Sequence, residues 1–281
     1  MAIKLGENSY GKSRVRLLRV VRQEGRHDIK EMTVGIRVEG DFEAAHCKGD
    51  NRKILPTDTM KNTVYALARQ YPVEAVEEFC LHLIEHFLTY NPQVSRVGVA
   101  ADENLWTRLP HGGKPSAFTF TRSGLEKRNA ELSGTREGTT VQAGIEGLTV
   151  LKTTKSAFDG FLRDPYTTLK EDRNRILSTT IHAEWLYQGS EIEFSPVWHG
   201  VRQMLLETFA EHDSKSLQHT LYAMGEAVLK NFDRISEIRL RLPNKHFNLV
   251  DLTPFGMDNP GEVFLPIDEP HGLIEAILRK E

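Results

Sequence analysis

An internal repeat limits how this chain can fold more than any other feature of its sequence. Residues 94–99 read Val-Ser-Arg-Val-Gly-Val and follow a predicted helix, and residues 235–240 read Ile-Ser-Glu-Ile-Arg-Leu and follow the matching helix. Both segments begin with a β-branched residue and a serine, and both then alternate in polarity. The repeat predicts two copies of a β-β-α-α-β-β unit. We expect the two domains to span residues 1–137 and 138–281.

The first copy begins with two β-rich runs, at residues 14–22 and 31–39. The second run alternates apolar and polar residues, as a half-buried strand does. Cap residues at 56–59 predict a first helix, and Pro72 begins a second helix whose apolar face includes Cys80. Strands are predicted to return at residues 94–100 and 117–122. Between them, Gly112 and Gly113 lack the spacing of a phosphate loop and predict a turn.

The second copy repeats this order. It predicts strands at 140–154 and 175–187, helices at 196–210 and 214–232, and strands at 235–242 and 262–265. Strand pairs with segregated helices are typical of the α+β class with antiparallel sheets. The irregular stretch 158–174 lies between two of these strands. Because a long ordered loop inside a compact domain is usually functional, we expect this loop to serve a site.

Composition excludes several kinds of partner. A formal net charge of -3 over 281 residues gives no electrostatic case for nucleic acid or an anionic membrane. Only Cys47 and Cys80 are present, without a CxxC pair, so we expect free thiols in a reducing compartment and no thiolate metal site. No run of 18 apolar residues predicts a membrane span. The last three residues are not Ser-Lys-Leu, so we expect a cytoplasmic location, or a peroxisomal one in a eukaryote.

Several short segments resemble the uricase (urate oxidase) family, and they keep that family's order along nearly the whole chain. They are Tyr10-Gly11-Lys12, Thr57-Asp58, residues 147–154, 158–164, 166–171 and 175–179, Gln218, and residues 242–246. The resemblance implies the tunnelling fold, in which two tandem domains pair with those of other chains. It also implies a homotetramer around a central tunnel, with active sites shared between chains.

The substrate that the resemblance implies is urate, a flat purine that is a monoanion at neutral pH. Phe158 offers an aromatic face, and Arg175 offers a planar pair of donors to an anion. Gln218 offers one donor and one acceptor to a purine edge, and the backbone N–H of Leu217 faces outward in the first turn of its helix. Taken singly, the three side chains are more often a core phenylalanine, a surface or salt-bridged arginine and a solvated glutamine.

The resemblance also implies a set of residues that handles protons and oxygen. Lys12 and Thr57 would act as base and relay, and His246 would gate the proton. Asn244 would hold dioxygen and then water above the urate ring. Leu169 and Ile274 would be apolar walls, and Asp58 would contribute mostly its backbone N–H. Without the resemblance, Lys12 is normally a surface charge, Thr57 can be a plain helix cap, and a lone histidine such as His246 is usually structural.

The reaction implied is urate, oxygen and water giving 5-hydroxyisourate and hydrogen peroxide, with no metal, flavin or haem. Two alternatives stay open. One is another tunnelling-fold purine or pterin enzyme, such as a cyclohydrolase, which would normally need zinc. The other is a non-catalytic purine-binding protein, which would keep Phe158, Arg175 and Gln218 but would not need the set of Lys12, Thr57 and His246.

Overall fold

The computed structural model describes residues 3–189 and 192–281. Its contacts separate into two compact units. The first unit contains the chain up to Gly144 together with Leu186–Trp198, and the second contains Ile145–Trp185 and His199–Glu281. The division into domains between residues 137 and 138 stays a prediction, because units of dense contact need not coincide with folding domains.

The first unit follows the predicted order of strands, helices and strands. Its strands are hydrogen-bonded side by side in chain order and antiparallel. The elements are β1 (Tyr10–Gln23), β2 (Arg26–Gly40), α1 (Glu43–Lys48), α2 (Thr57–Gln70), α3 (Val76–Tyr90), β3 (Val94–His111) and β4 (Lys114–Gly134). The short helix α1 was not predicted, and α3 begins at Val76 rather than at Pro72. The turn between β3 and β4 is confirmed, since Gly112 and Gly113 both have positive φ, as a two-residue hairpin requires.

Burial in the first unit follows the alternation seen in the sequence. Met32, Val34, Ile36 and Val38 of β2 are all buried, while the residues between them are more exposed. Helices α2 and α3 pack over this face, against β1, β3 and β4. Cys80 of α3 is fully buried, which confirms its expected place in the core. The predicted half-buried strand is therefore the strand around which this core forms.

The second unit repeats the order of elements, and its strands are also neighbours in chain order. Its elements are β5 (Thr139–Lys152), β6 (Leu177–Tyr187), α4 (Phe194–Glu211), α5 (Leu217–Asn231), β7 (Ile235–Leu249), the 3-10 turn Thr253–Phe255, and β8 (Phe264–Arg279). The start of β5, the end of β6 and the start of α4 belong to the first unit. Helix α5 packs on β7 and β8. The segment 158–174 has neither helix nor strand, as expected. The strand predicted at 262–265 was wrong in extent, since β8 continues to Arg279.

No helix in the described part of the chain is long and apolar enough to cross a membrane.

A buried ion pair joins β4 to α3 inside the first unit. The Arg128 guanidinium donates to the Glu77 carboxylate at 2.6 Å, and both side chains are almost fully buried. The same guanidinium donates to Ser195 Oγ at 3.0 Å and lies 5.3 Å from the ring centre of Trp198. Trp198 in turn donates its indole N–H to the Gly144 carbonyl at 2.9 Å. These contacts hold the first turns of α4 against β4.

We expect Arg128→Met to lower the free energy of unfolding by about 3–5 kcal/mol, because it leaves the Glu77 carboxylate buried without its cation. Denaturant unfolding at fixed protein concentration measures the loss. The control is Lys230→Met, which breaks the exposed pair with Glu226 (3.1 Å, one helical turn apart) and should cost about 0.3–0.5 kcal/mol. Equal losses in the two variants would show that the buried pair is not a special source of stability.

Candidate active site

The residues predicted to form the site fall into two groups. Lys12, Thr57 and Asp58 lie in the first unit. The others lie in the second unit: Phe158, Leu169, Arg175, Leu217, Gln218, Asn244, His246 and Ile274. The first group sits where β1 and α2 begin, and the second surrounds the loop before β6, the start of α5 and the middle of β7 and β8.

A β-bulge presents Lys12. Lys12 pairs with Ile36 of β2, but the next pair is Val15 with Val34, so β1 carries one extra residue between them. Arg14 in this bulge has a φ of 57°. The preceding Gly11 lies so close to β2 that a Cβ there would be 1.8 Å from the Ile36 carbonyl oxygen. Glycine is therefore required at position 11. The next residue in the chain is Lys12, which is half-buried.

Thr57 is the first residue of α2. The cap position before it is occupied by Pro56, which makes no side-chain cap, so the interpretation of Thr57 as a plain helix cap is wrong. Its backbone N–H and that of Asp58 belong to the first turn, where helix donors have no partner within the helix. Lys61 donates to the Asp58 carboxylate and, with a smaller contribution from Lys12, holds its pKa below the usual range. Lys12 and the start of α2 are therefore close enough to interact.

In the second unit, backbone hydrogen bonds tie the two arms of the predicted loop together. Phe158 and Asp172 exchange N–H···O bonds of 2.7 and 3.2 Å, and the Arg175 N–H donates to the Ser156 carbonyl at 2.8 Å. The Arg175 guanidinium carbon lies 5.2 Å from the centre of the Phe158 ring, and Phe161 stacks on that ring at 5.0 Å. The loop therefore places a cation and an aromatic face together.

The same loop is tied to the start of α5. The Ala157 N–H donates to the Ser214 carbonyl at 2.7 Å, and the Ser214 N–H donates to the Lys155 carbonyl at 3.0 Å. Ser216 caps α5 by accepting from the His219 N–H at 3.1 Å. In the first turn of α5, Leu217 is buried and Gln218 is exposed. Phe158, Arg175, Leu217 and Gln218 are thus anchored to one another through their backbones, and sequence reasoning missed Ser156 and Ser214, whose peptide groups make the link.

Arg175 has a donor with no acceptor. Its Nε is buried and has no hydrogen-bond partner among the described residues. Burial lowers the pKa of the guanidinium, with the charge of Asp172 opposing that shift. A buried donor left without an acceptor costs free energy, so an anion that accepts from this edge would be stabilised.

Asn244 and His246 lie at an irregularity between β7 and β8. Asn244 pairs with Gly272, but His246 pairs with Ile267, so four residues of β8 loop out between the two pairs. A Cβ on Gly272 would lie 3.7 Å from Asn244 Cβ and 3.8 Å from Ile274 Cδ1, so this glycine brings the two side chains near one another. Leu169 lies apart from them on the loop, and its side chain is exposed.

No group of three or more His, Cys, Asp or Glu side chains is placed to hold a metal ion within residues 3–189 and 192–281.

Comparison with known proteins connects these features to one family. The sequence model described as Uricase matches residues 8–133 and 141–275. The chain is 47% identical to the uricase of Arthrobacter globiformis, over 99% of this chain and 91% of that protein. It is 39% identical to the uricase of Aspergillus flavus, over 95% of this chain and 94% of the other.

Solved structures agree with the sequence matches. The crystal structure of the Arthrobacter globiformis uricase superposes with a TM-score of 0.94 at 47% identity, covering 100% of this chain and 96% of that one. The urate oxidase of Bacillus sp. TB-90, at 24% identity, has the same fold with a TM-score of 0.86, over 97% of this chain and 100% of the other. The predicted α+β tunnelling fold is confirmed by these matches. The chain belongs to the uricase family.

Proposed function

We propose that this chain oxidises urate with molecular oxygen and water, giving 5-hydroxyisourate and hydrogen peroxide. The observation that carries the proposal is the half-buried guanidinium of Arg175, in a chain of the uricase family. It lies over Phe158, and its buried Nε has no hydrogen-bond partner among the described residues. Two electrons leave urate and reduce oxygen to peroxide, and water supplies the new hydroxyl. Deprotonated urate is electron-rich enough to be the reductant, so the proposed reaction needs no metal, flavin or haem.

Urate binding is proposed at the start of α5 and the adjoining loop. Phe158 stacks on the purine, and Arg175 donates to a carbonyl oxygen and a ring nitrogen of the anion. Gln218 donates and accepts along the purine edge, while the Leu217 N–H points toward an anion at the positive end of the helix. The backbone bonds to Ser214 and Ser156 support this assignment, because they hold the elements in a fixed relation.

Proton and oxygen handling is proposed for the remaining residues. Lys12 removes a proton, Thr57 relays it through its hydroxyl, and His246 gates its passage. Asn244 positions oxygen and then water, with Leu169 and Ile274 as apolar walls, and the Asp58 N–H completes the substrate contacts. The electrostatic interaction of Lys12 with Asp58, the residue after Thr57, supports the pairing of base and relay.

The function is tested by oxygen consumption with urate. We expect one molecule of oxygen consumed and one of peroxide formed for each urate, with activity kept after exhaustive chelation. Lys12→Met is the control for contaminating oxidases, and it should lose activity roughly 10²–10⁴-fold as general-base catalysis is lost. Urate binding without oxygen consumption would favour the purine-binding alternative, and loss of turnover on removing a stoichiometric zinc would favour the cyclohydrolase alternative.

Substrate binding is tested with urate itself under anaerobic conditions, where turnover stops for lack of oxygen. We expect Arg175→Ala to weaken binding by about ten-fold or more, because a charged hydrogen bond contributes about 1.5–3 kcal/mol. The matched control is Arg173→Ala, two residues away, whose guanidinium is mostly exposed and pairs with Asp159 at 3.0 Å. Equal urate affinities in the wild type, Arg175→Ala and Arg173→Ala would place the urate site elsewhere.

We also propose a homotetramer whose active sites are shared between chains. The candidate residues divide between the units, with Thr57 in the first and Arg175 in the second. In the strand order, β1 and β8 each have one hydrogen-bonded neighbour among the described strands, so both offer long free edges. Leu18 and Val21 of β1 and Leu273 of β8 are exposed. Pairing such edges with another chain would remove them from water.

Mixing two inactive variants tests whether the sites are shared. Thr57→Ala and Arg175→Ala chains, each nearly inactive alone, are refolded together. A mixed pair of chains would contain one site with both lesions and one with neither, so we expect substantial activity only in the mixture. Mass measurement must show that mixed oligomers formed. If they form without regaining activity, each chain builds its own site.

A further inference from the structure

The Tyr10 hydroxyl joins the beginning of β1 to the segment that leads into α2. It accepts a hydrogen bond from the Leu55 N–H at 2.8 Å and donates one to the Leu55 carbonyl at 3.1 Å. The Tyr10 side chain thus satisfies both backbone polar groups of Leu55, which lies 45 positions away in the sequence. Burial raises the pKa of Tyr10, with the bond to Leu55 opposing the shift, so the phenol keeps the proton that it donates.

This contact lies two residues from each member of the proposed base and relay pair. Tyr10 precedes Lys12 by two positions on β1, and Leu55 precedes Thr57 by two positions at the start of α2. The residue between Leu55 and Thr57 is Pro56, whose ring restricts φ. Little chain freedom therefore remains between the hydroxyl contact and either functional side chain.

The register of β1 places Tyr10 and Lys12 on the same face. Tyr10 pairs with Val38 and Lys12 with Ile36, and both partners are buried on the side that α2 and α3 cover. The charge of Lys12 also contributes to lowering the pKa of Asp58 in the first turn of α2. The Lys12 side chain therefore lies near the helix that begins at Thr57.

Packing holds the Tyr10 ring in place independently of its hydroxyl. The ring meets Phe42 edge to face, with centres 4.8 Å apart and planes at 79°. Phe42 is itself 1% exposed. Removal of the hydroxyl therefore leaves the ring's packing intact, and the two contributions can be separated by mutation.

We propose that Tyr10 is a positioning residue for the Lys12–Thr57 pair, and that its two hydrogen bonds to Leu55 set the separation of base and relay. The inference rests on the proposed roles of Lys12 and Thr57. Tyr10 contacts neither urate nor oxygen in this proposal, so its loss should affect the proton step and leave substrate binding nearly unchanged. A misplacement of about 1 Å can cost on the order of 10²-fold in rate.

The test compares Tyr10→Phe with Tyr65→Phe. Tyr65 is a matched control, since its hydroxyl also reaches from α2 to the backbone of β1, donating to the Arg16 carbonyl at 3.4 Å. We expect Tyr10→Phe to lower kcat by about ten-fold or more, with anaerobic urate affinity changed less than about two-fold. Tyr65→Phe should change both by less than about two-fold. Unchanged kcat in Tyr10→Phe, or an equal loss of urate affinity, would overturn the proposal.

A double-mutant comparison separates positioning from general damage. In a Lys12→Met background, Tyr10→Phe should have almost no further effect on kcat, because the base that it positions is gone. An undiminished effect would show that Tyr10 acts through something other than Lys12. If Tyr10→Phe does not fold, 4-aminophenylalanine at position 10 keeps the ring and a donor to the Leu55 carbonyl, and its kcat should lie between those of the wild type and Lys12→Met.

A readout without turnover distinguishes failure of this inference from failure of the proposed function. Reductive ¹³C-methylation labels lysine Nζ groups, and the Lys12 signal is assigned by its loss in Lys12→Met. We expect that signal to shift in Tyr10→Phe and to stay in place in Tyr65→Phe. A shift in a protein that does not oxidise urate would refute the proposed function but keep the positioning contact. An unmoved signal would overturn the role of Tyr10.

Discussion

The long antiparallel ladders are the constraint on which the rest of this structure depends. Strands β1 to β4 run for 14 to 21 residues, and their ladders leave a wide face that must be covered. Helices α2 and α3 cover that face in the first unit, and α5 packs on β7 and β8 in the second. Helices α2 and α5 begin at Thr57 and Leu217, so their first turns carry Thr57 and Gln218.

Sequence reasoning found the elements whose burial matches their hydrophobicity. It found β2 because every second residue is a large apolar one that is buried. It missed the second half of β4, where the positions buried with the same period are Arg128, Ala130, Leu132 and Gly134. A charge and small residues hide that alternation, because the charge is buried with Glu77 as its partner. Most of β8 was missed for another reason, since most of it is exposed and it contains prolines and a glycine.

The candidate site was also predictable from the sequence only in part. The resemblance to the uricase family, and not residue chemistry alone, singled out Arg175 and Phe158, and the structure places them in contact. The bulge beside Lys12 and the four-residue loop in β8 opposite Asn244 and His246 left no signal, because both depend on the register with a neighbouring strand. The bonds through Ser214 were hidden too, since they use peptide groups and not side chains.

The first unit is built from two separate stretches of the chain, and this affects how the chain folds as it is synthesised. Its contacts include Leu186–Trp198, and Arg128 donates to Ser195 within that segment. A ribosome must therefore extend the chain through Ile145–Trp185 before the first unit can be completed. Until then the Arg128 and Glu77 side chains lack part of their enclosure. Contacts between residues so distant in sequence raise the contact order of the first unit, and higher contact order goes with slower folding in small domains.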